Sequence, residues 1–565
     1  MEKIRIAGPP GSGKTRFLVN IFYDRIQKYS ATEIIVMSHT NTAANEIRKR
    51  IQDHKSIQEY QNETGCDEDL FRLIKESKET LKETVTTIHT YCKSKIKKIK
   101  GQSVVFSGED YDNLKIIYPP FDIYTGSKKF HTLDMLIAGH PFFKFHNTAR
   151  DNGLDTVPYY RTLSFEEKRE YKYDIDQFQE LEKKYNKFKS SIKVNNRAER
   201  ILDFQDMIQH FTDSDEVKSE DLGIKILMVD EAQDSSVLQR AAEKKIAAAV
   251  EYFYKAGDPD QSLFGFAGAD PDAFHKEFAN PEIELKQGFR CPRVINEYCK
   301  QIIKPVWNHY GYERVWTPRR ELDKEGKPTG PIVEGELYEM MNLEQDPHLT
   351  ELTKRLTQTN ETFVFTCRGN EPKETIRYLM KLGVPFKLVD KDSKFKFKYP
   401  KADIKNQRNF FKLIREDKKL SAFAIKSILK NILTEYVGEN YLKGNLGELE
   451  KGNFNIDWLI KHQFLKPIVK KADDFQNISM TKGIEMKNFI RNVVKYDPSG
   501  DLEKKPRIFL ENIHTVKGEE FDNSIVDLTV LREEDDFTKR RIKYVACSRA
   551  KKTLWLIKSK NGMTL

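Results

Sequence analysis

The stretch KIRIAGPPGSGKTRFLVNIFYDRI, Lys3–Ile26, decides how the rest of the chain is read. The opening KIRIA alternates apolar and polar residues as a strand does, and RFLVNIFYDRI repeats apolar residues three and four apart as a helix does. Between them lies GPPGSGKT, Gly8–Thr15. Strand, glycine-rich loop and helix follow in the order that lets successive backbone N–H groups curl around phosphate oxygens, with the helix dipole behind them. Lys14 is expected to reach the β- and γ-phosphates of a nucleotide and Thr15 to hold Mg2+. Gly8, Gly11, Ser12, Gly13 and Arg16 complete the expected nucleotide contacts.

Two further segments answer that loop. ILMVDEAQD places Asp230 and Glu231 at the end of an apolar strand, where two adjacent carboxylates need a reason to be. Asp230 is the expected Mg2+ anchor and Glu231 the expected base for the attacking water. In AGDPDQSLFGFAGAD, Ala256–Asp270, the next strand ends in Asp258 and Gln261, close enough to sense a γ-phosphate. Phe264 and Phe266 stand three and five residues beyond Gln261, or ~10 to 17 Å at full extension. Rings held that far along a glycine-rich loop suit stacking on flat bases of single-stranded nucleic acid.

Working outward, KIRIAG, EIIVMSHT, GIKILMVDEA and AVEYFYKAGD are short apolar strands followed by polar loops and amphipathic helices. The rhythm returns in ETFVFTCRGN, PRIFLENIH, NSIVDLTVL and KTLWLIKS. Strand and helix alternation of this kind predicts an α/β fold with two parallel-sheet cores. Residues 93–199 and 416–505 have a different, mostly helical character and read as insertions. The expected division is therefore a first core in 1–92 and 200–280, and a second in 281–415 and 506–565. In the first insertion, Tyr171, Ile175, Phe178, Leu181, Tyr185, Phe188 and Ile192 step by three and four, predicting one helix. KFKFKYPK, Lys394–Lys401, alternates lysines with rings; it is either an amphipathic edge strand guarded by lysine or a basic edge near a phosphate backbone.

Composition narrows the classes. With 565 residues the chain exceeds a single hydrophobic core, and 32% charged residues with 11% aromatics suit a folded protein with a solvated surface. The net charge of +10 permits a polyanionic partner. Six scattered cysteines with no C-x-x-C argue against disulfides and structural zinc. No apolar run reaches the ~18 to 20 residues of a membrane span, so no membrane association and a cytoplasmic location are expected.

Taken together, the ordered motifs resemble the UvrD/Rep branch of superfamily-one helicases. HTNTAANEIRKRI, VTTIHTYC, LDFQDMI, VDEAQD, GDPDQSLFGFAGAD, GFRCP, FVFTCRGN with LGVPFKLV, IHTVKGEEF and YVACSRAKK follow in the family's order. The resemblance implies two RecA-like cores, each with a helical insert, and ATP with Mg2+ in the cleft between them. It implies that Arg290 and Arg549 reach the γ-phosphate, that Glu520 holds the ribose and that Gln261 orients water. On the DNA side it carries over to His39, Thr40, Asn41, His89, Phe264, Phe266, Arg368, Asn370 and His514. It implies an ATP-dependent motor that moves 3′ to 5′ on single-stranded DNA and acts at single-strand to duplex junctions, monomeric in isolation. The alternative is a DNA-stimulated ATPase switch that displaces or recruits proteins, working with an accessory replication, repair or nuclease protein.

Several positions depart from the family. The first residues fall almost at the phosphate loop, without the upstream glutamine segment that reads adenine, which leads to an expectation of weakened ATP-over-GTP discrimination. The short stretch after TLWLIK leads likewise to an expectation of no fused nuclease. Ala267 stands where an arginine is common, Glu519 replaces an apolar residue, and TKRR replaces acidic residues before the last motif.

Overall fold

The computed structural model describes residues 1–66, 69–100, 104–106, 117–118, 123–124, 141–171, 173–191, 193–194, 197–198, 200–263, 265, 268–276, 282–323, 327–367, 373–389, 399–432, 434–471, 484–528 and 536–558. The chain forms two compact units. The first comprises Met1–Phe289, Ile303–Pro331 and Arg540–Tyr544, the second Arg290–Ile302, Ile332–Lys539 and Val545–Leu565.

The first unit holds a six-stranded sheet of β1 (Glu2–Ala7), β2 (Ile34–Ser38), β3 (Val85–Thr87), β4 (Ile226–Val229), β5 (Tyr252–Gly257) and β6 (Glu282–Glu284). Its order is β6-β1-β5-β4-β2-β3, and every ladder is parallel. Alternate residues of the inner strands feed two different cores. Ile34, Val36, Ile226 and Met228 join Leu18, Val19 and Phe22 of helix Lys14–Ile26. Ile35, Met37, Leu227 and Val229 join Ile208 and Phe211 of helix Phe204–Asp213. A strand buried on both faces loses the apolar-polar alternation of a half-exposed one, which is why these segments read as continuous apolar runs.

An aromatic cluster of Phe142, Phe143, Phe145, Phe178 and Tyr185 forms a separate core in this unit. Phe145 and Phe178 stack with ring centroids 3.9 Å apart. The helix expected from Tyr171 onward starts later, at Ile175, and runs to Ser191. Asp174 and Gln177 exchange side-chain-to-backbone bonds of 2.9 Å, a reciprocal cap that sets the first turn. Tyr171 instead ends helix Phe165–Glu170 and enters the same aromatic core from there.

The second unit holds β7 (Glu336–Met340), β8 (Phe363–Cys367), β9 (Phe386–Leu388), β10 (Ile508–Asn512), β11 (Phe521–Asp527) and β12 (Ala550–Ile557). The order is β7-β12-β11-β8-β10-β9, again parallel throughout. Phe363, Phe365, Leu510 and Trp555 of the sheet share one core with Ile425, Leu429, Leu459 and Phe489 of the surrounding helices. The two parallel α/β cores expected from the strand rhythm are therefore present. Lys394–Lys398 of the lysine-aromatic stretch lie outside the described residues, while Lys401 opens helix Lys401–Ile414. Among the described residues no helix is long and apolar enough to cross a membrane.

Candidate nucleotide site and nucleic-acid-facing segments

The phosphate loop leaves β1 and enters helix Lys14–Ile26 through Gly13, whose φ of 84° is left-handed and favours glycine. Lys14 is buried with its Nζ donating to Gly8 O at 2.8 Å and Pro9 O at 3.3 Å, so the ammonium sits within the curl of the loop. Burial lowers its pKa, and the carboxylates of Asp258, Glu231 and Asp230 oppose that shift. Ser12 Oγ is buried without a hydrogen-bond partner, and the loop packs tightly around it. A Cβ on Gly8 would lie 2.3 Å from that oxygen and 3.1 Å from Leu285 Cβ. An orphaned hydroxyl, a buried ammonium and a cradle without room for a methyl group fit a phosphate chain. Gly8→Ala is accordingly expected to raise the KM for ATP about tenfold, ~1.4 kcal/mol, in steady-state hydrolysis, and to lower the melting temperature as well, because the added methyl must displace Ser12 Oγ.

Thr15 Oγ1 donates to Asp230 Oδ2 at 2.9 Å. A hydroxyl and a carboxylate side by side are hard oxygen donors of the kind Mg2+ takes. Burial, with Glu231 adding to it, pushes the Asp230 carboxyl up to about 6. Glu231 itself has φ 55°, ψ 36°, a left-handed backbone uncommon outside glycine and found where a surrounding site enforces it. Gln233 Nε2 donates to Glu231 Oε2 at 2.6 Å, and Gln233 Oε1 accepts Asp258 N at 2.9 Å. Gln261 Nε2 donates in turn to Asp258 Oδ2 at 2.8 Å. The first unit thus brings Lys14, Thr15, Asp230, Glu231 and Gln261 into one neighbourhood. Arg16 lies apart on the exposed side of its helix, paired with Glu63 at 2.8 Å and Glu59 at 3.4 Å.

In the second unit Arg290 Nε donates to Glu520 Oε2 at 2.9 Å and its Nη1 to Ser548 O at 3.3 Å. Burial pushes the Glu520 carboxyl up, but Arg290, with Lys551 and Arg549 adding to it, holds it below its ordinary range. Arg549 is 1% exposed and donates to Val545 O at 2.9 Å, Ser548 Oγ at 3.0 Å and Glu519 O at 3.4 Å. Beside Glu520 runs a groove of ≈ 580 Å3 lined by Glu361, Phe521, Asn523 and Lys551 among others.

Of the expected DNA-facing residues, Thr40 caps helix Asn41–Gln52, accepting Ala43 N at 3.1 Å. His39 Nε2 lies 3.4 Å from Ser235 Oγ. His89 meets Phe204 edge-on at 5.3 Å. Burial, with His39 adding to it, lowers the His89 imidazole to about 4, so the ring is neutral at pH 7. His514 lies in the turn after β10, where its N–H donates to Asn512 Oδ1 at 3.0 Å. Phe264, Phe266, Arg368 and Asn370 lie outside the described residues.

The UvrD/REP helicase N-terminal domain model matches residues 2–280, and the UvrD-like helicase C-terminal domain model matches residues 450–561. The chain belongs to the UvrD/Rep family of DNA helicases. A probable DNA helicase II homolog of Rickettsia conorii is 27% identical over 149 residues, 25% of this chain and 22% of that protein. The matched stretch is thus about a fifth of that relative's length. ATP-dependent DNA helicase Rep of Buchnera aphidicola is 23% identical over 98% of this chain and 82% of its own length. A probable DNA helicase II homolog of Mycoplasma capricolum is 21% identical over the same shares.

Three groups in this member of the UvrD/Rep family escape reading along the sequence. Arg314 is buried against Asp258, 56 positions away in sequence, and no local pattern announces it. Phe289 is 44% exposed while its backbone N–H donates to Gly11 O at 2.8 Å, which ties this aromatic residue's backbone to the phosphate loop. Phe204, exposed next to His89, was visible as the aromatic in LDFQDMI, but only the fold pairs it with that histidine.

Proposed function

We propose that this UvrD/Rep helicase is an ATP-driven motor that moves 3′ to 5′ on single-stranded DNA and unwinds duplex. The observation that supports its hydrolytic part best is the hydrogen-bonded path of side chains and backbone N–H groups from Thr15 through Asp230, Glu231, Gln233 and Asp258 to Gln261, with the buried Lys14 ammonium in the loop beside it; the direction of movement rests on the family resemblance. In this reading Lys14 and the loop amides hold the phosphates and Phe289 covers the nucleobase. Glu231 takes the proton of the attacking water, whose position Gln261 sets. Mg2+ held by Thr15 and Asp230 would neutralise phosphate charge as it develops. Arg290 and Arg549 supply planar, permanently charged groups for the γ-phosphate, and Glu520 exchanges Arg290 for the ribose. His39, Thr40, Asn41, His89, Phe204 and His514 form the strand-facing set, and each ring offers a face or edge to a base. Residues 93–199 and 416–505 act as the inserts that set partner choice.

One observation favours a second reading, a DNA-stimulated ATPase switch. Both arginines are already engaged within their own unit, Arg290 by Glu520 and Arg549 by backbone carbonyls, so hydrolysis needs an event that releases them. Strand displacement on duplexes with only a 3′ or only a 5′ single-stranded tail separates the readings, with Lys14→Ala as the inactive control. Displacement of the 3′-tailed duplex alone is the expected result. DNA-stimulated hydrolysis without displacement would favour the switch, and displacement from the 5′ tail would overturn the polarity.

A further inference from the structure

Asp258 and Asp260 are both 0% exposed, and one guanidinium answers both. Arg314 Nη1 lies 3.1 Å from Asp258 Oδ1 and its Nε 3.8 Å from Asp260 Oδ2. Asp260 also accepts Trp307 Nε1 at 2.7 Å and Tyr312 Oη at 2.8 Å. The buried Lys14 ammonium also faces Asp258; buried charges of this kind are costly to desolvate, and apolar residues of like volume serve stability as well. The arrangement therefore calls for another role.

Its neighbours indicate which. The second oxygen of Asp258 accepts the Gln261 amide at 2.8 Å, and the Asp258 N–H is held by Gln233, whose own amide grips Glu231 at 2.6 Å. Gly257 keeps this approach open, since a Cβ there would lie 2.5 Å from Gln233 Oε1. We propose that Arg314 is a positioning residue for ATP hydrolysis. Its guanidinium fixes the Asp258 carboxylate, the carboxylate fixes the Gln261 amide, and the water-orienting group is thereby held in register with Glu231. In this role Arg314 acts through Asp258; the inference rests on the hydrolytic reading given above.

The test is a double-mutant cycle in the full chain between Arg314→Lys, which keeps the charge and loses the planar fork, and Gln261→Ala. DNA-stimulated kcat and the KM for ATP are read for each. Arg314→Lys is expected to lower kcat roughly ten- to a hundredfold with KM within about threefold, as a misplaced catalytic group does. Added to Gln261→Ala it should cost nothing more, because both changes disable one unit. A kcat within about threefold of wild type, a raised KM alone, or losses that multiply in the double variant would overturn the role. Should Arg314→Lys fail to fold, Asp258→Asn keeps the shape, removes the charge and must give the same non-additive loss. A wild-type chain without DNA-stimulated hydrolysis would overturn the hydrolytic reading and this role together, and is told apart by Gln261→Ala then being silent as well.

Discussion

Replacing Glu231 with glutamine is expected to lower the rate of ATP hydrolysis by roughly 10²- to 10⁴-fold while leaving nucleotide affinity within a few-fold of wild type. The side chain keeps its shape and can still accept the 2.6 Å bond from Gln233, so the local structure should persist. What disappears is the group that takes the proton. The backbone supports this assignment independently: a glutamate at φ 55° is held in a conformation its side chain disfavours, and such strain is kept where a surrounding site requires it. The substitution also removes one cause of the raised Asp230 pKa, so that carboxyl should titrate lower in the variant. Single-turnover phosphate release with single-stranded DNA, alongside equilibrium binding of a fluorescent ATP analogue, makes the measurement. Hydrolysis within tenfold of wild type would remove Glu231 from the role of base.

The largest stability effect is expected from Asp203→Ala. Asp203 is buried, and its carboxylate meets Arg150 at 3.0 Å, Lys189 at 3.0 Å and Tyr185 Oη at 3.1 Å. It also caps helix Phe204–Asp213 by accepting Asp206 N at 2.8 Å. Removing it leaves two cations sharing Asp206 alone, and breaking a buried pair from one side costs about 3–5 kcal/mol. Hydrogen exchange across helix Phe204–Asp213 and the aromatic cluster around Phe145 reads the loss locally, as befits a chain of two units. Acid should act in the same direction. The cations hold the Asp203 carboxyl well below its ordinary range against the opposing effect of burial. A depressed folded-state pKa means that its stabilisation is complete above about pH 4 and fades as pH falls toward the folded value. The variant should therefore lose less on acidification than wild type does.

Burial and range decide how much of the fold is legible along the chain. The eight strands read from apolar runs are the eight inner strands of the two sheets, β1, β2, β4 and β5 in one and β8, β10, β11 and β12 in the other. The four that escaped notice, β3, β6, β7 and β9, are the four edges. Three of these edges are only three residues long and the fourth, β7, is mostly outside the core, so none offers a run of apolar residues long enough to read.

The same distinction divides the site. The phosphate loop is a local device: its glycines, Lys14 and Thr15 are contiguous, and the physics of wrapping backbone N–H groups around phosphates dictates their spacing. The acidic pair Asp230 and Glu231 was legible because two carboxylates at the end of an apolar strand are costly to desolvate unless a cation or hydrogen-bond donors meet them there. The amino-acid sequence by itself thus determined the two parallel α/β cores, the nucleotide loop and the family. The motifs already implied Asp230 beside Thr15, which the structure joins across 215 positions; only the tertiary structure decided that Glu520 meets Arg290 across 230 and Arg314 meets Asp258 across 56. A buried charge must find its counter-charge in space, and nothing in the spacing along the chain constrains where in the chain that partner lies.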